Sequence, residues 1–354
     1  MKKYITLTLT ILYTCLIWMG CSDSTSSDED VNTSWVFVSN EGTFGDSNGS
    51  ISMINDFGSV TTEYVKTNQN GESKGVNVVQ SIKVYKDKLI AIVNYESLIK
   101  IYNINENGIS LPGIEISTNG SSPREMVIIN DLVYFTNWES DDIKIFNLFN
   151  YNIEETSIHV GKDPEGIIFD DSYLWVANSG DSTISKIDLS THYVETFVVG
   201  TGPQKLTIHN NQVIISRTSY DNDWNTLHAI TKMKTDGTEL YKNNYGLGAP
   251  CGGSIISHNN ILYRSENWTN SGAESIIPLD NDLNYIYDNR IGYYINPLMI
   301  YHIENINNHI YFCLTEDNNP SVSLLKILDS NNQEIASYNV GYFPGDIAYW
   351  KKSD

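Results

Sequence analysis

Pro164–Asn178 reads PEGIIFDDSYLWVAN, two short apolar runs on either side of a polar turn. Proline fixes φ and lacks an N–H, so it suits the start of a strand. Asp170-Asp171 are residue types that tolerate the left-handed backbone of a tight hairpin. Tyr173–Ala177 is aromatic and β-branched, with no helical spacing. The stretch therefore predicts a β-hairpin, and the chain repeats it. Pro123 to Asn137, Pro164 to Asn178 and Pro203 to Arg217 are each 14 residues apart. Asn210-Asn211, Asn259-Asn260 and Asn307-Asn308 stand where Asp170-Asp171 stand.

The second strand of the hairpin marks the repeat most clearly. Its copies end at Asn40, Asn94, Asn137, Asn178, Arg217, Ser265 and Leu314. A Gly/Pro phrase precedes several hairpins: Gly161 to Pro164, Gly200 to Pro203, Gly248 to Pro250 and Gly341 to Pro344, with Pro123 and Pro297 in the same place. A third apolar run follows the Asn position at Ile51–Ile54, Ile99–Tyr102, Ile143–Phe146, Ile184–Ile187 and Leu324–Ile327, and a fourth is clearest at Glu195–Val199. Four short strands every 40–50 or so residues is the pattern of propeller blades. Trp35–Asn40 has no partner strand before it, and Pro344–Trp350 is an inner strand with nothing after it. The expected fold is all-β: a seven-bladed β-propeller with four antiparallel strands per blade, its ring closed by pairing of the N- and C-terminal strands so that no edge stays open.

Residues 1–20 read as a lipoprotein signal peptide. Lys2 and Lys3 precede an uncharged apolar stretch that ends at Gly20-Cys21, which makes Cys21 the lipidation residue, although Trp18 stands where Leu is usual. Residues 21–34 form an acidic, flexible tether, because Ser22–Asp30 offers no apolar residue to a core. Residues 35–354 are the propeller domain. The lipid is then the only membrane attachment; the tether resembles the acidic export signal of Bacteroidetes surface lipoproteins, which implies the outer membrane, facing the cell exterior. Of four cysteines, Cys15 leaves with the signal; Cys251 and Cys313 are read as separate thiols, with a disulfide left open.

Lys plus Arg number 22 against 43 Asp plus Glu, a formal charge of −21. So acidic a chain repels the phosphate backbone, and nucleic acid is not an expected partner. No GxSxG, HExxH, P-loop or EF-hand pattern occurs. The histidines are scattered, with His302 read as lining a core. Neither a metal site nor a His/Glu cluster is legible, and the chain is not expected to be an enzyme or to carry a cofactor.

In a propeller, the loop before the innermost strand and the loop after the second strand open on the same face, around the mouth of the channel. The first set offers Arg124, Glu125, Glu165, Gln204, Lys205, Cys251 and Asp346; the second offers Phe44, Tyr95, Glu96, Trp138, Glu139, Arg217, Tyr220, Trp224, Asn267 and Trp268. Indoles in loops rich in Asn, Asp and Glu suit a flat organic ligand or a sugar face, while neighbouring Glu, Asn and Arg can bond amide or hydroxyl groups.

The phrases Gly161–Gly166, Leu174–Ile184 and Gly200–Pro203 resemble the YVTN-type (YncE-like) β-propeller repeat. Together with Cys21 and the acidic tether they are similar to a narrower group, the Bacteroidetes surface lipoproteins that capture cobalamin and related corrinoids (BtuG type). That resemblance implies a non-catalytic protein that binds a corrinoid on the propeller face and delivers it to an outer-membrane TonB-dependent transporter, cobalamin being cargo and not cofactor. A glycan- or protein-binding propeller lipoprotein remains the alternative, with a lactonase- or lyase-like enzyme behind it.

Overall fold

The computed structural model describes residues 33–352 except 44–47, 56–57, 64–65, 68–72, 75–77, 249–253, 266–273, 294–297 and 317–321. Phe44, Asn267, Trp268, Cys21, Cys251, Pro250 and Pro297 lie outside the described residues, as do the signal peptide and nearly all of the tether.

Seven sheets follow one another around a ring. The innermost strands, in chain order from the closing blade, are Pro344–Lys351 (blade 1), Val79–Tyr85 (blade 2), Pro123–Ile129 (blade 3), Pro164–Phe169 (blade 4), Pro203–His209 (blade 5), Ile255–His258 (blade 6) and Met299–Ile306 (blade 7). Each blade adds three further antiparallel strands outward; blades 2 and 3 carry one extra short strand each. Blade 1 takes its inner strand from the C-terminus and the other three from the N-terminal end of the domain, with Trp35 opposite Trp350 and Phe37 opposite Ala348. The Trp350 indole N–H donates to Asp87 Oδ1 at 2.9 Å, tying this closing strand to blade 2.

The hairpin turns behave as their residue types require. Asn210, Asn211, Asn259, Asn260, Asn307 and Asn308 all have φ between 48° and 62°, the backbone that two-residue turns with a right-handed twist demand. The second strands are apolar on both sides because each blade is sandwiched between neighbours. Val36 and Val38 pack toward blade 7 with Tyr311 and Leu325, whereas Trp35 and Phe37 pack toward blade 2 with Ile82 and Leu89. Comparable layers fill the other junctions, such as Tyr134 and Ile145 against Leu174 and Val176, and Trp175 against Val213 and Ile215.

The register explains the Gly/Pro phrase. The residue opposite the first inner-strand residue is Asn40, Val93, Asn137, Asn178, Arg217, Arg264 and Thr315. The repeat ends read from sequence as Asn94 and Leu314 are thus each one residue out, whereas Ser265 does end its strand. Asn178 donates to Thr183 Oγ1 and Ser185 Oγ at 2.9 and 3.1 Å, and Asn40 donates to Ser50 Oγ and Ser52 Oγ at 3.1 and 3.0 Å, stitching the second strand to the third. A Cβ on Gly161 would stand 2.5 Å from the Asn178 amide, and one on Gly341 would stand 2.6 Å from Asn40. Glycine is needed there because the Asn side chain occupies that space.

Candidate functional site

Among the described residues six inner strands open with a β-bulge, and the extra residues include Gln80, Arg124, Glu165, Gln204, Tyr301 and Gly345. A bulge turns one side chain out of the pleat, and here it sends a polar set to the rim of the channel. Arg124 meets Glu165 with two parallel bonds, Nε to Oε2 at 2.9 Å and Nη2 to Oε1 at 2.8 Å. Both side chains are largely buried, at 16% and 8% exposure. Burial alone would lower the Arg124 pKa, but Glu165 raises it above its usual value. The guanidinium also lies 4.1 Å from the Trp138 ring centroid, a desolvated cation–π contact. Glu41 accepts from the Tyr301 hydroxyl at 2.8 Å; burial, the largest influence, pushes its carboxyl above the usual range against the pull of Arg124.

Behind the rim is a channel cavity of about 590 Å³. Its polar wall includes Ser81, Lys83, Glu125, Lys205, His302, Glu304 and Asp346; Val127, Ile168 and Phe169 make part of its apolar wall. Lys205 pairs with Glu125. Lys83 lies 3.0 and 3.1 Å from the two Asp346 oxygens, and Asp346 also accepts from Ser81 Oγ at 2.8 Å and the Ile82 N–H at 2.9 Å. Burial would lower the Lys83 pKa, yet Asp346 and Glu304 raise it. His302 and Glu304 face the same cavity, with Nε2 and Oε2 3.6 Å apart. His302 is therefore a channel residue and not a core one, and it does stand in a His/carboxylate cluster of the kind the sequence did not reveal. Lys83, Lys205 and the pair His302 and Glu304 lie on three different inner strands, and only ring closure brings them together. Lys205 is legible as a strand-entry residue, whereas Lys83 and Glu304 carry no local signal.

The candidate residues separate into two sets. Arg124, Glu165 and Arg217 are turned inward. Arg217 is 8% exposed, donates to Asn244 Oδ1 at 3.4 Å, and burial lowers its pKa. Tyr95, Trp138, Tyr220 and Trp224 remain exposed at 61, 37, 53 and 81%; Glu96 is half-buried and Glu139 exposed in the same loops. Trp224 belongs to a built loop. Asp221 Oδ1 accepts from the N–H groups of Asp223 and Asn225, both at 2.9 Å, so this carboxylate is spent on its own turn. The same five-residue form, Asp-Asn-Asp-x-Asn, recurs at Asp280–Asn284, whose Asp280 Oδ1 accepts from Asp282 and Asn284 at 2.8 Å. The fourth residue has φ of 62° at Trp224 and 60° at Leu283. Leu283 uses it to enter the core at 1% exposure, whereas Trp224 stands in solvent beside Tyr220, ring centroids 6.1 Å apart. A bulky residue in left-handed backbone is strained; at Leu283 core packing offsets that strain, and at Trp224 no burial does.

Cys313 is fully buried in the second strand of blade 7, and burial pushes its thiol well up. Among the described residues no helix is long and apolar enough to cross a membrane.

No protein-family model and no curated protein sequence matches the chain. Solved structures are similar in fold. A candidate 6-phosphogluconolactonase from Bacteroides uniformis is 12% identical over 90% of this chain and 100% of its own, with a TM-score of 0.63. Virginiamycin B lyase from Staphylococcus aureus is 16% identical over 74% of this chain and 84% of its own, at 0.53. BamB from Moraxella catarrhalis is 14% identical over 78% and 81%, at 0.52. At such identities the likeness shows the β-propeller fold and no shared chemistry.

Proposed function

We propose that this chain is a surface lipoprotein that captures a corrinoid on the mouth of its propeller and passes it, without turnover, to a TonB-dependent barrel in the outer membrane. One observation carries the reading: the mouth loops hold Tyr95, Trp138, Tyr220 and Trp224 in solvent, and Trp224 does so at a backbone angle that burial does not offset. An aromatic ring around a polar rim fits a broad, flat macrocycle whose edges bear amides, since the rings take its face and Glu96, Glu139 and the loop backbone take its amides. The inward ion pairs of Arg124 and Lys205 form the floor beneath it. Lipidation at Cys21 and the acidic tether would hold that mouth outside the cell.

Isothermal titration of the full-length chain with cyanocobalamin tests this. The expected result is saturable one-to-one binding that weakens at least about tenfold when Trp138, Trp224 and Trp268 are all replaced by Ala. No heat, and no rise in melting temperature at about 100 μM ligand, would end the corrinoid reading. Binding of an oligosaccharide in its place would keep the face and change the ligand.

A further inference from the structure

We propose that His302, Glu304 and Asp346 bind one divalent transition-metal cation, of the zinc or manganese type, on the wall of the central channel. His302 and Glu304 are alternate residues of the inner strand of blade 7, so the pleat turns both to the same side. Asp346 reaches the same point from the inner strand of blade 1. His302 Nε2 lies 3.6 Å from Glu304 Oε2 and 3.9 Å from Asp346 Oδ1, and one ligand atom from each residue falls within 4.8 Å of the others. Ligand atoms on a tetrahedral zinc with bonds near 2.0–2.1 Å are about 3.3 Å apart, so modest side-chain rotation closes the set.

Two independent features point to a cation. The first is hydrogen bonding: His302 Nε2 and Glu304 Oε2 are both buried and neither has a hydrogen-bond partner. Two such atoms face each other at a distance too long for a hydrogen bond, and a cation between them would meet both needs. The second is charge. Arg124 takes Glu165, Lys205 takes Glu125 and Lys83 takes Asp346. Among the described residues no Lys or Arg nitrogen stands within ion-pair distance of Glu304, which feels Lys83 only from farther away, and its near neighbour is an imidazole. One nitrogen and two carboxylate oxygens suit zinc or manganese better than calcium or magnesium, which favour oxygen-only shells. The Lys83 ammonium, 3.0 Å from Asp346 Oδ1, competes for that carboxylate and weakens the site without closing it. A cation here joins blade 7 to blade 1 from inside the channel, and it opens into the cavity of about 590 Å³, where its free positions face a small oxygen- or nitrogen-bearing ligand.

The test uses the full-length chain, stripped with chelator and dialysed against zinc chloride or manganese chloride, with bound metal read by elemental analysis. Wild type should retain one equivalent. His302→Gln and Glu304→Gln should each weaken binding by about tenfold or more, whereas Lys83→Met should tighten it about tenfold by freeing Asp346. Circular dichroism checks that each variant is folded, and the two near-isosteric variants decide the matter if Lys83→Met is not. Retention below about 0.2 equivalents at 100 μM metal would overturn the proposal, and so would an equal load on the His302→Gln/Glu304→Gln double variant. Neither outcome depends on cobalamin, so the corrinoid reading stands or falls separately.

Discussion

Replacing Arg124 by Met removes the cation of the rim while keeping a side chain of similar length. In the wild type its guanidinium holds both Glu165 oxygens, at 2.9 and 2.8 Å, and covers Trp138. Glu165 is only 6% exposed, so the variant leaves a carboxylate buried without its partner. Breaking a buried pair from one side costs about 3–5 kcal/mol, and loss of the cation–π contact adds about 0.5–1 kcal/mol. For a domain of this size that lowers the melting temperature by roughly 5–12 °C. Glu165→Gln is milder, about 2–3 kcal/mol, because the amide oxygen still accepts one bond. The double variant leaves neither charge buried, and its total cost should be only about 1–2 kcal/mol. Calorimetric melting of the four proteins closes the cycle. The sum of the single effects should exceed the double effect by at least about 2 kcal/mol. Additivity to within about 0.5 kcal/mol would show that the two groups do not hold each other, and the rim would need another explanation.

Other consequences follow from the same geometry. Trp224→Gly should leave stability unchanged or raise it by up to about 1 kcal/mol, since glycine accepts the φ of 62° and no burial is lost; the same variant should bind cyanocobalamin more weakly, and chemical denaturation beside titration reads both. Gly161→Ala should cost about 1–3 kcal/mol in urea unfolding, because its Cβ meets the Asn178 amide at 2.5 Å. The Glu41 carboxyl has a raised pKa in the folded chain, so it holds its proton more tightly folded than unfolded. Its contribution is complete below the unfolded value near 4.5 and is lost as pH rises through the folded value. Glu41→Gln should therefore gain stability relative to wild type as pH is raised above about 4.5, and a constant difference across the melting-temperature profile would refute the assignment.

The blades were legible because their punctuation is local. Asn-Asn turns, prolines at strand starts and apolar second strands each follow from a preference of a few residues. Register was less legible. Counting apolar letters put two of the repeat ends at Asn94 and Leu314, while pairing puts them at Val93 and Thr315. The rim was legible only as a set of loops. The exposed aromatics could be found there, but nothing local separated Tyr95 and Trp224, which stay in solvent, from Glu165 and Arg217, which turn inward. The channel was hidden for a geometric reason. Lys83 and Asp346 are 263 residues apart and 3.0 Å apart in space; Asp346 was legible as a strand-entry residue, but Lys83 reads in sequence as one polar residue on a strand face.

A crystal structure of the chain with cyanocobalamin tests the central claim most directly. It should place the macrocycle over the end of the channel bounded by Tyr95, Trp138 and Trp224, with at least one indole against the ring plane. Ligand seated at the opposite end, beside the Asn210-Asn211 and Asn259-Asn260 turns, or crystals that exclude it at saturating concentration, would contradict the account.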